Sequence, residues 1–152
     1  MKALIIFLIL PIFLSITSND KLDSDNGFGN YKFGTSPQQY KDLTIEIEEG
    51  TSKLFSSSSQ INTNVNGVEF EYIRVTFCSD KLSAISLQTK HNTSAKFFQF
   101  LQENYGRPNK VKENHEWLGK NVRLVYEQIN TKDAVISFYN RQIYEQGKKT
   151  KK

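Results

Sequence analysis

The sequence predicts an α+β domain: an antiparallel sheet of about six strands with two helices on one face. Two clusters of alternating apolar residues broken by turn signals predict the sheet, and an amphipathic run between them predicts a helix. The resulting order is helix, three strands, helix, three strands, a tandem of two similar units.

Residues 1–18 read as a signal peptide. Lys2 supplies the positive start, Ala3 to Leu14 is apolar apart from Pro11, and Ser15, Thr17 and Ser18 offer a cleavage site. The apolar run is shorter than the ~18–20 residues of a spanning helix. The expected product starts near Asn19 and is periplasmic or secreted. Residues 19–26 are polar and unpatterned and read as a flexible leader. Residues 27–145 then form a single domain, in the usual size range.

The domain opens on the aromatic stretch from Gly27 to Gly34, a first strand or extended arm. Thr35-Ser36-Pro37 starts a short helix ending near Asp42 or Leu43, since a hydroxyl can cap it and Pro37 fits its first turn. Thr44 to Phe55 is ambiguous: Ile45 and Ile47 alternate as in a strand, yet the stretch could extend the helix. The run Ser56 to Ser59 reads as a loop.

Ile61, Thr63 and Val65 alternate, Asn66-Gly67 suits a type I′ turn, and Val68, Phe70 and Tyr72 resume the alternation as a hairpin. Apolar parity then shifts to Ile73, Val75 and Phe77, which a bulge or burial of both faces explains. Ser79-Asp80-Lys81 turns into Leu82 to Leu87.

Asn92-Thr93-Ser94 caps the second helix, whose stripe is Phe97, Phe98, Leu101 and Tyr105, with Gly106 and Pro108 ending it. The second meander runs from Glu113 to Leu118, through Gly119-Lys120-Asn121 into Val122, Leu124 and Tyr126, with Arg123 and Glu127 opposite. It ends on Ala134, Ile136 and Phe138, with Val135 and Tyr139 on the other face.

The net charge of +4 is a property of the chain ends. Lys2 and the four lysines of the 146–152 tail take five of the 20 basic residues, leaving 15 against 16 acidic ones. Such a body lacks the basic surface that nucleic acid needs, so no nucleic-acid partner is expected. The basic tail reads as disordered, able to touch an anionic surface weakly but more simply a solubilising end. Cys78 is the single cysteine, which excludes an internal disulfide and favours a buried thiol.

Phe33-Gly34-Thr35-Ser36-Pro37, Tyr105-Gly106-Arg107-Pro108 and Glu116 to Val122 together resemble small exported proteins of unknown function from the Bacteroidota and related bacteria. The layout is similar to the β-lactamase-inhibitor-protein-like fold, which includes a related small outer-membrane assembly lipoprotein, although that lipoprotein's cysteine and the inhibitor's disulfide pairs are missing. The resemblance implies a bacterial envelope protein and no activity, and it transfers no functional residue.

No catalytic, cofactor or metal site is expected. His115-Glu116 begins a His-Glu-x-x-His pattern, but its fifth residue is Gly119 and the segment reads as strand. One cysteine with His91 and His115 leaves a zinc site short of ligands. The candidate interaction surface is Tyr72, Trp117, Tyr126 and Tyr139, aromatics on strands one face of which the helices leave uncovered, with core packing the competing role for each. The expected function is a non-enzymatic protein- or ligand-binding envelope module, inhibitor- or immunity-like, whose partner is an envelope or secreted protein or a wall or membrane component. The alternative is an envelope hydrolase using Glu69, Glu71 or Glu116.

Overall fold

The computed structural model describes residues 18–58 and 67–149. Residues 1–17 of the expected signal peptide, the expected Ile61–Val65 strand with Asn66 of its turn, and the tail beyond Lys149 lie outside the described residues. Among the described residues no helix is long and apolar enough to cross a membrane.

The fold is α+β and antiparallel throughout, with eight strands in the main sheet where about six were expected. In chain order the elements are α1 (Ser18–Asp25), β1 (Gly27–Phe28), β2 (Tyr31–Lys32), a 3₁₀ turn (Pro37–Gln39), β3 (Leu43–Glu49), β4 (Ser52–Ser57), β5 (Glu69–Cys78), β6 (Lys81–Lys90), α2 (Ser94–Tyr105), β7 (Asn109–Val111), β8 (Asn114–Leu118), β9 (Val122–Gln128), β10 (Ala134–Asn140) and α3 (Arg141–Lys149). The main sheet has the order β3-β4-β5-β6-β10-β9-β8-β7, two four-stranded meanders joined where β6 pairs β10. β1 and β2 form a small separate hairpin.

Three expectations need correction first. Residues 19–26 are not a loose leader: Leu22 is fully buried, and Asp23 accepts the backbone N–H groups of Lys120 (2.6 Å), Asn121 (2.8 Å) and Val122 (2.8 Å). The helix expected at Thr35–Leu43 shrinks to the 3₁₀ turn. There the Thr35 hydroxyl bonds back to Lys32 O, Ser36 makes no cap bond, and Tyr40 is already extended. The β-branched, alternating Thr44–Ile47 stretch then favours a strand over helix extension, and it pairs with β4. The third correction is α3, which extends helix into the tail through Lys149 and packs against the face opposite α1 and α2.

Ser56 and Ser57, expected in a loop, instead end β4 opposite Thr44 and Leu43. Thr93 stands at the N-cap of α2 without a side-chain capping bond, while the following elements keep to the sequence pattern. The parity shift in β5 is a bulge between Phe70 and Tyr72, leaving Glu71 as the extra residue. Ser79 and Asp80, both at positive φ (49° and 56°), make the two-residue β5–β6 turn. α2 buries Phe97, Leu101 and Tyr105. Gly106 ends it at φ 75°, ψ −165°, a region that only glycine enters readily.

One core lies between the sheet and the layer of α1, the β1–β2 hairpin and α2. Phe28 stacks on Phe138 (4.9 Å) and meets Phe97 edge-on (5.7 Å), so the small hairpin plugs the centre of the sheet. Each large apolar side chain buried in this way contributes ~1.5–3 kcal/mol.

Candidate functional site: the open sheet face and the cleft beside α3

Strand parity decides which side chains can meet a partner. In β10, Ala134, Ile136 and Phe138 are buried, so Val135, Ser137 and Tyr139 point to the opposite face. In β5 after the bulge, Ile73, Val75 and Phe77 face the core while Tyr72, Arg74 and Thr76 face away. The register then assembles two cross-strand rows on the open face: Tyr72, Gln88, Val135 and Glu127, and beside them Arg74, Ser86, Ser137, Val125 and Glu116. Apart from the exposed Glu127, these residues are half-buried, as expected of sheet side chains without a covering layer.

The four aromatic candidates therefore divide. Tyr72 and Tyr139 lie on the open face. Trp117 and Tyr126 do not; each is 2% exposed beneath α2, and they are core residues rather than an interaction surface. Their polar atoms are satisfied internally: Trp117 Nε1–H donates to Gly106 O at 2.7 Å, and Tyr126 Oη–H reaches Gln128 Oε1 at 2.9 Å. Burial raises the Tyr126 phenol pKa above its ordinary value.

The centre of the open face holds a Tyr–Arg pair. The Arg74 guanidinium sits 4.6 Å from the Tyr72 ring centroid, and its Nε lies 3.0 Å from Glu46 Oε2, off the N–H direction, as an ion pair rather than a hydrogen bond. Ser86 and Ser137 hydroxyls meet at 3.4 Å in the same row. The two rows combine a tyrosine and an arginine, types enriched at protein interfaces, with two valines, an amide, two serines and two glutamates.

α3 closes one end of this face. Asn140 Oδ1 caps it by accepting Ile143 N–H at 2.9 Å. Gly147 lets the helix lie directly on Cys78, where a Cβ would stand 2.7 Å from Sγ. Cys78 is thereby buried, with Ser83 Oγ 3.2 Å from its sulfur.

Beside α3 a cleft of about 380 Å³ opens among Glu116, Arg123, Tyr139, Arg141, Tyr144 and Glu145. Arg123 makes a two-point pair with Glu116, Nη2 to Oε1 at 2.7 Å and Nε to Oε2 at 3.2 Å, which holds the guanidinium pKa above its ordinary value. Tyr139 and Tyr144 rings meet at 4.8 Å with a 54° tilt. Arg141 Nη1 donates to Gly119 O (3.0 Å) and Lys120 O (3.1 Å).

The carboxylates expected of a hydrolase do not converge. Glu69 and Glu116 are four strands apart in the sheet, roughly 19 Å at the usual strand spacing. Glu69 pairs with His91 (3.5 Å), Glu71 with Lys90 (3.7 Å) and Glu116 with Arg123. His115 lies on β8 with its ring 4.8 Å from Phe98, apart from His91 in the loop after β6. Among the described residues no three of His, Cys, Asp and Glu gather around a point that could hold a metal ion.

Sequence reasoning missed Arg74, Ser86, Gln88, Ser137 and the Arg123–Tyr144 cleft. Parity was the available signal: Tyr126 alternates with Leu124 and Val122 and against Arg123 and Glu127, which places it inward, whereas Tyr139 alternates against Ile136 and Phe138 and faces out. Scans against protein-family profiles, curated proteins and solved structures return no match to this chain.

Proposed function

We propose that this is an exported envelope protein that works without catalysis, as an inhibitor- or immunity-like module gripping a protein partner with its open sheet face. One observation carries the reading. α1, the small hairpin and α2 shield one side of the sheet, while the rows from Tyr72 to Val125 have no covering element among the described residues. A face carrying a Tyr–Arg pair suits a hot spot, because both residue types are enriched there and the tyrosine buries large area at little entropic cost.

The test uses the secreted protein as bait, with a photo-crosslinker in place of Gln88. The crosslinked partner is identified and its affinity measured by titration. Tyr72→Ala is expected to weaken that affinity at least tenfold with an unchanged melting temperature. An affinity indifferent to Tyr72→Ala and to a Ser137→Arg block removes the open face from the reading.

A further inference from the structure

From the cleft at the α3 end of the open face we infer a second, ligand-sized site, one that takes a sugar ring of a neutral glycan. The inference goes beyond the protein-binding reading, and its residues lie apart from the Tyr72–Arg74 centre.

Size limits the ligand first. About 380 Å³ is at the small end of ligand pockets, which run from ~300 to 1,000 Å³. Such a space holds a ring or two.

Charge limits it next. The lining carries two carboxylates, Glu116 and Glu145, against two guanidinium groups, Arg123 and Arg141. Among the described residues the sum is zero, so a free phosphate or carboxylate finds no excess of cation from them. A ligand bearing both donors and acceptors, without net charge, matches this balance.

Geometry then selects among neutral ligands. Arg123 is held by its two-point pair with Glu116, whose side chain is only 14% exposed, and Arg141 is held by two loop carbonyls. A guanidinium has five N–H groups, and among the described residues Arg123 Nη1 and Arg141 Nε and Nη2 make no hydrogen bond. Fixed planar donors beside a carboxylate offer paired contacts to adjacent ring hydroxyls, which donate and accept at once. The tilted Tyr139 and Tyr144 rings and the half-exposed Leu118 supply an apolar wall for the C–H face of the same sugar. These positions are set by three strands and a helix whose first residue is bonded twice to the β8–β9 turn, so little ordering is needed on binding.

The experiment is saturation-transfer NMR on the full secreted protein with cellotetraose, maltotetraose and the N-acetylglucosamine tetramer. Acetate and inorganic phosphate form the anion arm. At least one tetramer is expected to bind with Kd of about 1 mM, which corresponds to roughly 4 kcal/mol. Leu118→Arg, which fills the cleft from a side chain 43% exposed and outside the core, is expected to weaken it at least tenfold. Tyr144→Ala should do the same, and Tyr72→Ala should leave it unchanged. No binding of any tetramer, tighter binding of acetate or phosphate, or binding untouched by Leu118→Arg overturns the assignment. Partner capture through Tyr72 is read separately, so either site can fail without the other.

Discussion

The carboxylate of Asp23 accepts the backbone N–H of Val122 at 2.8 Å, across 99 positions of sequence. The same group takes Lys120 and Asn121 N–H, and Gly119 leaves no room for a Cβ against it. From the other side Arg141 binds the carbonyls of Gly119 and Lys120. One turn thus has its donors answered by α1 and its acceptors by α3, which ties the two ends of the domain to the β8–β9 hairpin. Asp23→Ala is expected to cost about 2 kcal/mol, because hydrogen bonds to a charged acceptor are the stronger kind. Urea unfolding measures it, and a loss below a few tenths of a kcal/mol would show that water replaces the carboxylate freely.

Gly147→Ala should act against ordinary helix propensity. In an exposed helix interior the change stabilises by about 1 kcal/mol. Here the new methyl meets Cys78 Sγ, so α3 must lift from the sheet. Cys78 should then react with a thiol reagent at least tenfold faster than in the parent protein. Equal labelling rates, with a raised melting temperature, would contradict the close approach.

Trp117→Ala is expected to be among the most damaging single changes, at ~3–5 kcal/mol, since a large core side chain is lost. The Gly106 carbonyl also loses its 2.7 Å partner. Trp117→Phe keeps most of the volume and should cost less than half as much. A Trp117→Ala protein with parental thermal stability would place the indole outside the core.

Alkaline titration should separate the tyrosines. Burial raises the phenols of Tyr31, Tyr105 and Tyr126, Tyr31 to about 12, with Tyr105 also held up by the neighbouring Asp25. A raised pKa means that the fold prefers the neutral phenol. Its contribution is fully present below pH ~10, the unfolded value, and is lost as pH rises through about 12 for Tyr31. Tyr31→Phe should flatten that limb while costing about 1 kcal/mol at neutral pH through its hydrogen bonds to Asp42 and Ser57. Absorbance at 295 nm and denaturant midpoints from pH 8 to 12 check both; an unchanged limb would assign the loss to other groups.

Much of the fold was legible wherever local pattern and tertiary burial agree. The alternation in β5 and β10, the Ser79-Asp80 turn and the Tyr105-Gly106 helix end all appear as read. The resemblance motif also gains a physical link, because the carbonyl of the helix-end Gly106 receives the Trp117 indole. What escaped was set by distant contacts. α1 has one apolar residue in the run Ser-Asn-Asp-Lys-Leu-Asp-Ser-Asp, too few for any periodicity, and owes its place to Leu22 and Asp23. The last turn of α3, Gln146 to Lys149, falls in the expected tail because its close contact with the sheet is made by a glycine, invisible to a hydrophobic pattern. The cleft joins β8, β9, β10 and α3, a meeting that no local stretch records.

The β6–β10 seam, finally, bears on how quickly the chain can reach this arrangement. Every other neighbouring pair in the main sheet is a hairpin between strands adjacent in sequence, whereas Val135 meets Gln88 and Tyr139 meets Ala84 only after α2 and three strands have been traversed. Closing that long loop costs entropy before any seam contact repays it. The two meanders should therefore gain order early and separately. Their union, with Phe28 wedged against Phe138, would be the slow event that sets the refolding rate.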